Sequence, residues 1–206
     1  MPQAAKKNAG ENHSKSDQTQ QSILEAAGKV LIESGYSDFT MRKVSAAANI
    51  SIGNLNYHYP TKTLLLDALL TYITDRIIAG FDEVVKRAGE SPELRLRAIL
   101  EYWIDDLQTV ETTVFFPEVW ALSNHHEFAH NSLIDSYGHA LSVLEPYVRD
   151  LNPKLSAHDV NTIGKFMCAS MEGLTVFVGH NKMWQKDHAA LKSTTIESFI
   201  KLIKSA

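Results

Sequence analysis

The densest group of hydrogen-bonding side chains lies between Thr40 and Lys62. A helical period would place Ile52, Leu55 and Tyr59 on one apolar face. The other face would then carry small, amide, phenol and imidazole groups with no acid among them: Gly53, Asn54, Asn56, Tyr57 and His58. A short helix of this kind suits the DNA major groove, because base edges there offer hydrogen-bond donors and acceptors.

A second short helix precedes this one and must position it. Val44, Ala47 and Ala48 recur at helical spacing and predict its inward face. Asn49 tolerates the left-handed backbone that a tight turn between helices needs, and Ser51 is a good N-cap for the next helix. The two short helices therefore predict a helix-turn-helix.

The head of the chain is completed by one earlier helix. Apolar spacing predicts a helix from residue 17 to about residue 34, which Gly35 ends by adopting a positive φ. Residues 17–62 are therefore expected to form a three-helix domain. Residues 1–16 lack apolar periodicity and are predicted to be a disordered tail.

The rest of the chain, residues 63–206, reads as helix after helix with no strand pattern. The fold class is therefore predicted to be all-α, with about nine helices. A helix over 62–87 would make a rod about 35–40 Å long at 1.5 Å rise per residue. The other helices are predicted at about residues 92–108, 113–126, 127–150, 156–180 and 187–204.

Charge is distributed unevenly along the chain. Residues 1–62 hold seven Lys/Arg and five Asp/Glu, a net charge of +2, whereas the remainder holds 13 and 19, a net charge of −6. This asymmetry is expected if only the head meets phosphate. The single cysteine, Cys168, excludes an internal disulfide, and neither a secretion signal nor an apolar run of membrane-spanning length is evident. We therefore expect a cytoplasmic protein that does not enter a membrane.

Residues 17–66, about a quarter of the chain, resemble the N-terminal domain of the tetracycline-repressor (TetR) family of bacterial transcriptional regulators. The resemblance rests on these stretches: ILEAA at 23–27, ESGY at 33–36, FTMRKVS at 39–45, ANIS at 48–51 and GNLNYHYPTK at 53–62. It implies a three-helix DNA-binding head on a helical body that binds an effector and dimerises. The implied partners are double-stranded operator DNA, a small-molecule effector and a second copy of the chain.

The resemblance also assigns roles to residues of the head. Ile52, Gly53 and Asn54 match positions that face base edges. The full set of implied DNA-binding residues is Arg42, Lys43, Ser51, Ile52, Gly53, Asn54, Asn56, Tyr57, His58 and Lys62. The chain departs from the family at Asn49, where glycine is common, and at Asn56, where a DNA-contacting tyrosine is common. An amide at position 56 can still bond phosphate or pair with adenine.

The large aromatic residues of the body have two readings. Core packing is the ordinary use of any one of them. The resemblance implies instead that some line an apolar cavity for a small effector, with a few polar groups. The candidate lining residues are Trp103, Phe116, Trp120, Asn124, Tyr137, His139, Phe166, Met171 and Glu172.

The last two helices, within residues 156–204, combine apolar residues with small ones that permit close approach. They could complete a monomeric core, or pair with their counterparts in a second copy as a four-helix bundle, as the resemblance implies. The resulting hypothesis is a ligand-responsive repressor that binds a palindromic operator as a dimer and is released by an apolar or amphipathic effector.

One alternative is a metal-sensing or enzymatic helical module with a vestigial head. His126 and His130 are four residues apart, as two ligands on one helix face would be, but a solvated cluster is the more ordinary reading of such a pair. No nucleophile elbow, phosphate-binding loop or dinucleotide fingerprint is found. We therefore expect no enzymatic activity, no cofactor and no resident metal.

Overall fold

The computed structural model describes residues 3–206, with side chains from residue 16 onward. In this part of the chain every regular element is helical, which confirms the all-α fold class. The nine α-helices of the described residues, with a short 3₁₀-helix at Gln185–Asp187, are α1 Gln3–Asp38, α2 Met41–Ala47, α3 Ile52–His58, α4 Lys62–Arg87, α5 Pro92–Asp106, α6 Val110–Ser123, α7 Glu127–Leu151, α8 Ala157–Val178 and α9 His188–Ser205.

The chain divides into two compact units, Met1–Tyr72 and Ile73–Ala206. The sequence places the boundary after residue 62, ten residues earlier. The difference arises because the first part of α4 supplies buried side chains to the first unit. Leu65 and Leu69 are both almost fully buried, and the Tyr72 hydroxyl lies 3.4 Å from the carboxylate of Glu25 on α1.

Helix α1 begins at Gln3, where the sequence predicts a disordered tail over residues 1–16. Residues 3–16 contain no proline, and a helix can elongate through polar residues at little cost even where it buries no apolar face. Near its other end, Gly35 has φ 67° and ψ 173°, so the regular helix is interrupted where the sequence predicts.

The caps of α2 and α3 form as their sequences predict. The Thr40 hydroxyl accepts a hydrogen bond from the backbone N–H of Lys43, and the Ser51 hydroxyl accepts one from the N–H of Asn54. Between the two helices Asn49 has φ 54°, the left-handed conformation expected of the turn.

The predicted apolar faces of these two helices need correction. Val44 and Leu55 are fully buried, but Ala47 is exposed and Ile52 is 41% exposed. Ser45 is buried instead, with its hydroxyl donating to the carbonyl of Arg42. A helix of two turns can bury only the middle of its stripe, so the periodicity locates the buried face but extends it too far.

The second unit packs its helices around an apolar core. Side chains with no more than 1% exposure include Phe81, Leu96, Ile99, Phe115, Leu144 and Met171. The C-terminal end of α8 is fixed to the α5–α6 connection and to the first turn of α6: Gln108 donates to the carbonyl of Val178, and the buried Thr113 hydroxyl accepts from the N–H of His180.

Charged side chains join α5 to α9 on the surface of this unit. Arg97 pairs with Glu197 through two hydrogen bonds of 2.6 and 3.0 Å, and Lys192 donates to Asp105 at 2.6 Å. No helix within residues 3–206 is both long and apolar enough to span a bilayer.

Candidate nucleic-acid interface and candidate effector site

Helix α3 presents its polar residues to solvent. Tyr57 is 81% exposed, and Asn54 and Asn56 are exposed beside it, whereas Leu55 fixes the opposite face in the core. Gly53 has open space around it: a Cβ added there would meet nothing closer than the Ser51 hydroxyl at 3.9 Å. Packing does not require a glycine at this position, and its absence of a side chain leaves the α3 backbone accessible to a flat surface.

The two basic residues of α2 are also exposed. Arg42 and Lys43 follow the Thr40 cap, and the Lys43 ammonium lies 4.0 Å from the carboxylate of Asp38. Both partners of that pair are solvent-exposed, so the pair contributes little and can be exchanged for a phosphate at low cost. The sequence has no acidic residue from residue 39 to residue 66, so neither α2 nor α3 contributes a side-chain anion to this surface.

Tyr57 and His58 end α3 as an aromatic pair. Their ring centroids are 5.1 Å apart in an edge-to-face arrangement, and His58 is half-buried. The Tyr57 hydroxyl is the more accessible of the two polar groups. Both side chains lie at the C-terminal end of α3, about one helical turn from Asn54.

Lys62 has an unexpected set of partners. Its ammonium donates to the carbonyl of Tyr36 at 3.0 Å and lies 3.7 Å from the centroid of the Tyr36 ring. Burial lowers the pKa of Lys62. The side chain therefore connects the start of α4 to the segment that follows Gly35. The sequence implies only a DNA-binding role for Lys62 and does not indicate this structural contact.

Two adjacent cavities lie in the second unit. The outer cavity, about 550 Å³, opens to the surface between α6, α7 and α8 and is lined by Trp120, Tyr137, Leu141, Lys165, Cys168, Ala169, Glu172, Gly173 and Val176. The inner cavity, about 40 Å³, is lined by Thr74, Trp103, Leu107, Thr112, Phe116, Leu133, Ser136, Tyr137, Ala140, Glu172 and Thr175. Tyr137 and Glu172 line both cavities and form their shared wall.

That wall contains a short hydrogen-bond chain. The indole N–H of Trp120 donates to the Tyr137 hydroxyl at 3.0 Å, and that hydroxyl donates to Glu172 Oε1 at 2.8 Å. Burial raises the pKa of Glu172 to about 7, although the Tyr137 hydrogen bond acts in the opposite direction. Burial, with Glu172 second, also raises the pKa of Tyr137. The wall thus holds a carboxyl group that can be neutral or charged near neutral pH.

Five of the nine implied lining residues border these cavities: Trp103, Phe116, Trp120, Tyr137 and Glu172. The other four border neither cavity. Met171 is fully buried in the core, and Phe166 is 54% exposed with its ring edge-on to Phe199. Asn124 is the exposed C-cap of α6, and His139 is exposed with its Nδ1 3.8 Å from Asp75.

The sequence reading missed several polar groups of the inner cavity, namely Thr74, Thr112, Ser136 and Thr175. Thr74 lies one helical turn from the buried Leu70 and Ile77, and Thr175 lies one turn from the buried Met171 and Val178. A hydroxyl within an apolar stripe was the available signal, although such a residue usually bonds its own backbone, as Thr175 does to the carbonyl of Met171. Among residues whose side chains are described, no group of three His, Cys, Asp or Glu side chains is arranged to hold a metal ion.

Comparisons with known proteins agree with this geometry. A sequence model of the family "Bacterial regulatory proteins, tetR family" matches residues 23–69. The structure of a protein from Rhodococcus sp. that is assigned to the TetR-family transcriptional regulators superposes with a TM-score of 0.76 at 23% identity, covering 91% of this chain and 99% of that one. At this identity the superposition shows the fold.

Two curated relatives match part of the chain. A regulator from Xanthobacter autotrophicus, described as an uncharacterized HTH-type transcriptional regulator in the dhlA 5′ region, is 30% identical over 129 residues, 62% of this chain and 64% of its own length. The HTH-type transcriptional regulator BetI of Burkholderia thailandensis is 28% identical over 107 residues, 50% of this chain and 53% of its own length. The chain thus spans less than two thirds of either relative.

Helices α2 and α3, with α3 exposed and free of acidic residues, form a helix-turn-helix, and the second unit is all-helical. Residues 23–69 match the tetR family of bacterial regulatory proteins, and the chain has the fold of a TetR-family structure.

Proposed function

We propose that the chain is a repressor that binds a palindromic operator as a homodimer and is released by a small apolar or amphipathic effector. The observation that carries the proposal is the polar face of α3, where Asn54, Asn56 and Tyr57 are exposed and no acid is present. Side chains of this kind hydrogen-bond base edges and phosphates.

Within the interface, α3 is the element that enters the major groove. Ile52, Gly53 and Asn54, in its first turn, face base edges. The remaining contacts, which fix orientation on the phosphate backbone, come from Arg42, Lys43, Ser51, Asn56, Tyr57, His58 and Lys62. Lys62 reaches phosphate only by sharing its ammonium with the Tyr36 carbonyl or by leaving it.

A second copy of the chain is supported by apolar side chains left in solvent near the last two helices. These exposed residues are Phe166, Val176, Phe177, Met183 and Trp184. Phe177 and Trp184 stack at 4.8 Å, which presents one continuous aromatic surface. Apolar surfaces of this kind are typical of interfaces between subunits. Two α3 helices of such a dimer would enter major grooves about 34 Å apart.

Effector binding is supported by the pair of cavities in the second unit. The outer cavity has the volume of a small-molecule site, and its lining is largely apolar with few polar groups. Helix α4 belongs to both units and contributes Thr74 to the inner cavity, so a ligand there contacts the helix that continues into the head. The effector must bind the DNA-free geometry more tightly, since equal affinity for both geometries would shift nothing.

The test is footprinting of the purified chain on the DNA upstream of its own gene, repeated with a library of metabolites. We expect a protected palindrome whose two half-sites lie about one helical turn apart, and loss of protection with at least one metabolite. Absence of any salt-dependent protection would exclude the proposal. Protection that no metabolite relieves would exclude the effector part alone.

A further inference from the structure

Glu172 is an acidic group for which the described part of the chain supplies no counter-charge. Its Oε1 accepts the Tyr137 hydroxyl, and no described Lys, Arg or His side chain forms an ion pair with it. Lys165, the one basic residue of the outer cavity, lies two helical turns away on α8 and is exposed. A carboxylate removed from water without a cation is unfavourable, so a cation arriving from outside would be bound strongly.

Thr74 supplies a second unsatisfied group in the same place. Its Oγ1 is the one fully buried side-chain oxygen or nitrogen among the described residues without a hydrogen-bond partner. Thr74 and Glu172 border the same inner cavity from α4 and α8. Buried polar atoms are nearly always hydrogen-bonded, so an orphaned hydroxyl on a residue that borders a cavity indicates a partner that the chain itself does not provide.

The size of the inner cavity limits what that partner can be. About 40 Å³ exceeds the roughly 10–15 Å³ that a water-sized group needs, but it leaves no room for a branched group. A primary ammonium has the size of water, carries a positive charge and offers three N–H donors with no acceptor. Those donors match the Glu172 carboxylate and the Thr74 hydroxyl oxygen.

The outer cavity suits the remainder of such a molecule. Its walls are mainly apolar, with the rings of Trp120 and Tyr137 close to the shared wall. Aromatic rings favour a nearby cation, and the volume of about 550 Å³ accommodates an apolar body. An extended molecule can therefore fill the outer cavity with its end group at the wall that Tyr137 and Glu172 share with the inner cavity.

We propose that the effector is a primary organic amine, whose ammonium occupies the inner cavity against Glu172 and Thr74 and whose apolar body fills the outer cavity. This assignment rests on the proposed effector function and names the chemical class that the site accepts. It excludes fatty acids and other anions, which would face Glu172, and quaternary ammonium compounds, which are too large for the inner cavity.

Binding of the amine should depend on pH through Glu172. The ionisable groups that border the two cavities are Glu172 and Cys168 on α8, Tyr137 on α7 and the exposed Lys165. Because burial raises the pKa of Glu172 to about 7, its carboxylate forms mainly above neutral pH. Aliphatic amines stay protonated across this range. Their affinity should therefore fall roughly tenfold from pH 8 to pH 6.

The experiment is calorimetric titration of the full chain without DNA at pH 8. The probes are 4-phenylbutylamine, 4-phenylbutanol, 4-phenylbutanoate and trimethyl(4-phenylbutyl)ammonium, followed by linear alkylamines of four to ten carbons, each beside its alcohol. We expect at least one amine to bind ten times more tightly than its alcohol, and the trimethylammonium and carboxylate probes to bind more weakly than the amine.

Substitutions at Glu172 and Thr74 test whether the ammonium binds in the inner cavity. Glu172→Gln should weaken amine binding at least tenfold and abolish its pH dependence, and Thr74→Val should weaken it several-fold. Asp135→Asn, which removes an exposed carboxylate on α7 outside both cavities, is the matched control and should change nothing. If no amine of the panel exceeds its alcohol, or if Glu172→Gln binds the amine normally, the proposal is wrong and the inner cavity holds only water.

DNA binding by fluorescence anisotropy, measured on the upstream DNA without any ligand, separates the two proposals. Salt-dependent DNA binding together with failure of every amine overturns the amine assignment and leaves the regulator intact. Amine binding in a chain that shows no DNA binding overturns the proposed function and leaves the ligand class standing.

Discussion

At the scale of single residues, Glu172 should impose a pH dependence on folding. Its pKa is about 7 in the folded chain against 4.5 for an unperturbed glutamate, so the folded state holds the proton more tightly. The contribution of Glu172 to the free energy of unfolding should therefore fall as pH rises from 4.5 to 7 and then level off. Above pH 7, Glu172→Gln should be more stable than the wild type by about 3 kcal/mol, because one unit of pKa corresponds to about 1.4 kcal/mol. Urea unfolding at pH 5 and pH 8 measures this, and an equal difference at both values would contradict it.

Lys62 offers a second test at this scale because its ammonium has a structural contact. Lys62→Ala should lower the free energy of unfolding by about 1–2 kcal/mol through loss of the Tyr36 hydrogen bond and ring contact. The only described ion pair of Lys43 is the exposed one with Asp38. Lys43→Ala should therefore change the free energy of unfolding by less than about 0.5 kcal/mol. Urea unfolding of both variants gives the comparison. Equal stability of the two would show that the Tyr36 contact contributes nothing.

Tyr57 and Asn54 should separate affinity from sequence preference. Tyr57→Ala removes an exposed phenol assigned to phosphate, so it should weaken operator binding evenly across sequences. Asn54→Ala removes a group assigned to a base edge, so it should cost about 1–3 kcal/mol on the preferred operator and relax one position of the site. Selection on randomised operators distinguishes these outcomes. A changed sequence preference for Tyr57→Ala would refute its assignment.

At the scale of elements, Gly179 allows α8 to end against the first turn of α6. A Cβ there would lie 2.7 Å from the Thr175 carbonyl and 2.6 Å from the Thr113 hydroxyl, which already receives the N–H of His180. Gly179→Ala should therefore destabilise the chain by about 1–3 kcal/mol. Gly138→Ala, within α7 and with open space around it, should stabilise by about 0.5–1 kcal/mol. Thermal unfolding of both variants checks the opposite signs.

The elements also show what sequence periodicity can and cannot locate. Caps at Thr40 and Ser51 and the positive φ of Gly35 and Asn49 follow from local chemistry, and the sequence predicts them. The start of α1 cannot be predicted in this way, because a polar segment without a helix-breaking residue is compatible with both a helix and an irregular conformation. The inner cavity depends on side chains from five helices, and only their packing shows that the Thr74 hydroxyl lacks a partner.

At the scale of the whole molecule, we predict that a charge introduced into the apolar surface of the proposed dimer disrupts that dimer. Phe166→Glu should convert a dimer to monomers and weaken operator binding, because each monomer brings one α3. Val110→Glu, at the N-terminus of α6 with 44% exposure against 54% for Phe166, is the matched control and should leave the dimer intact. Sedimentation equilibrium measures both. A wild-type chain that is monomeric at micromolar concentration would contradict the dimer.

Cys168 borders the outer cavity, and burial raises its pKa to about 12. It is also the only cysteine of the chain. Its thiol is therefore almost wholly protonated at neutral pH, and a thiolate-specific reagent should modify it slowly and at one position only. A molecule seated in the cavity would shield the sulfur and slow the modification further. The rate at which Cys168 is modified would therefore report the occupancy of the outer cavity without any label being introduced.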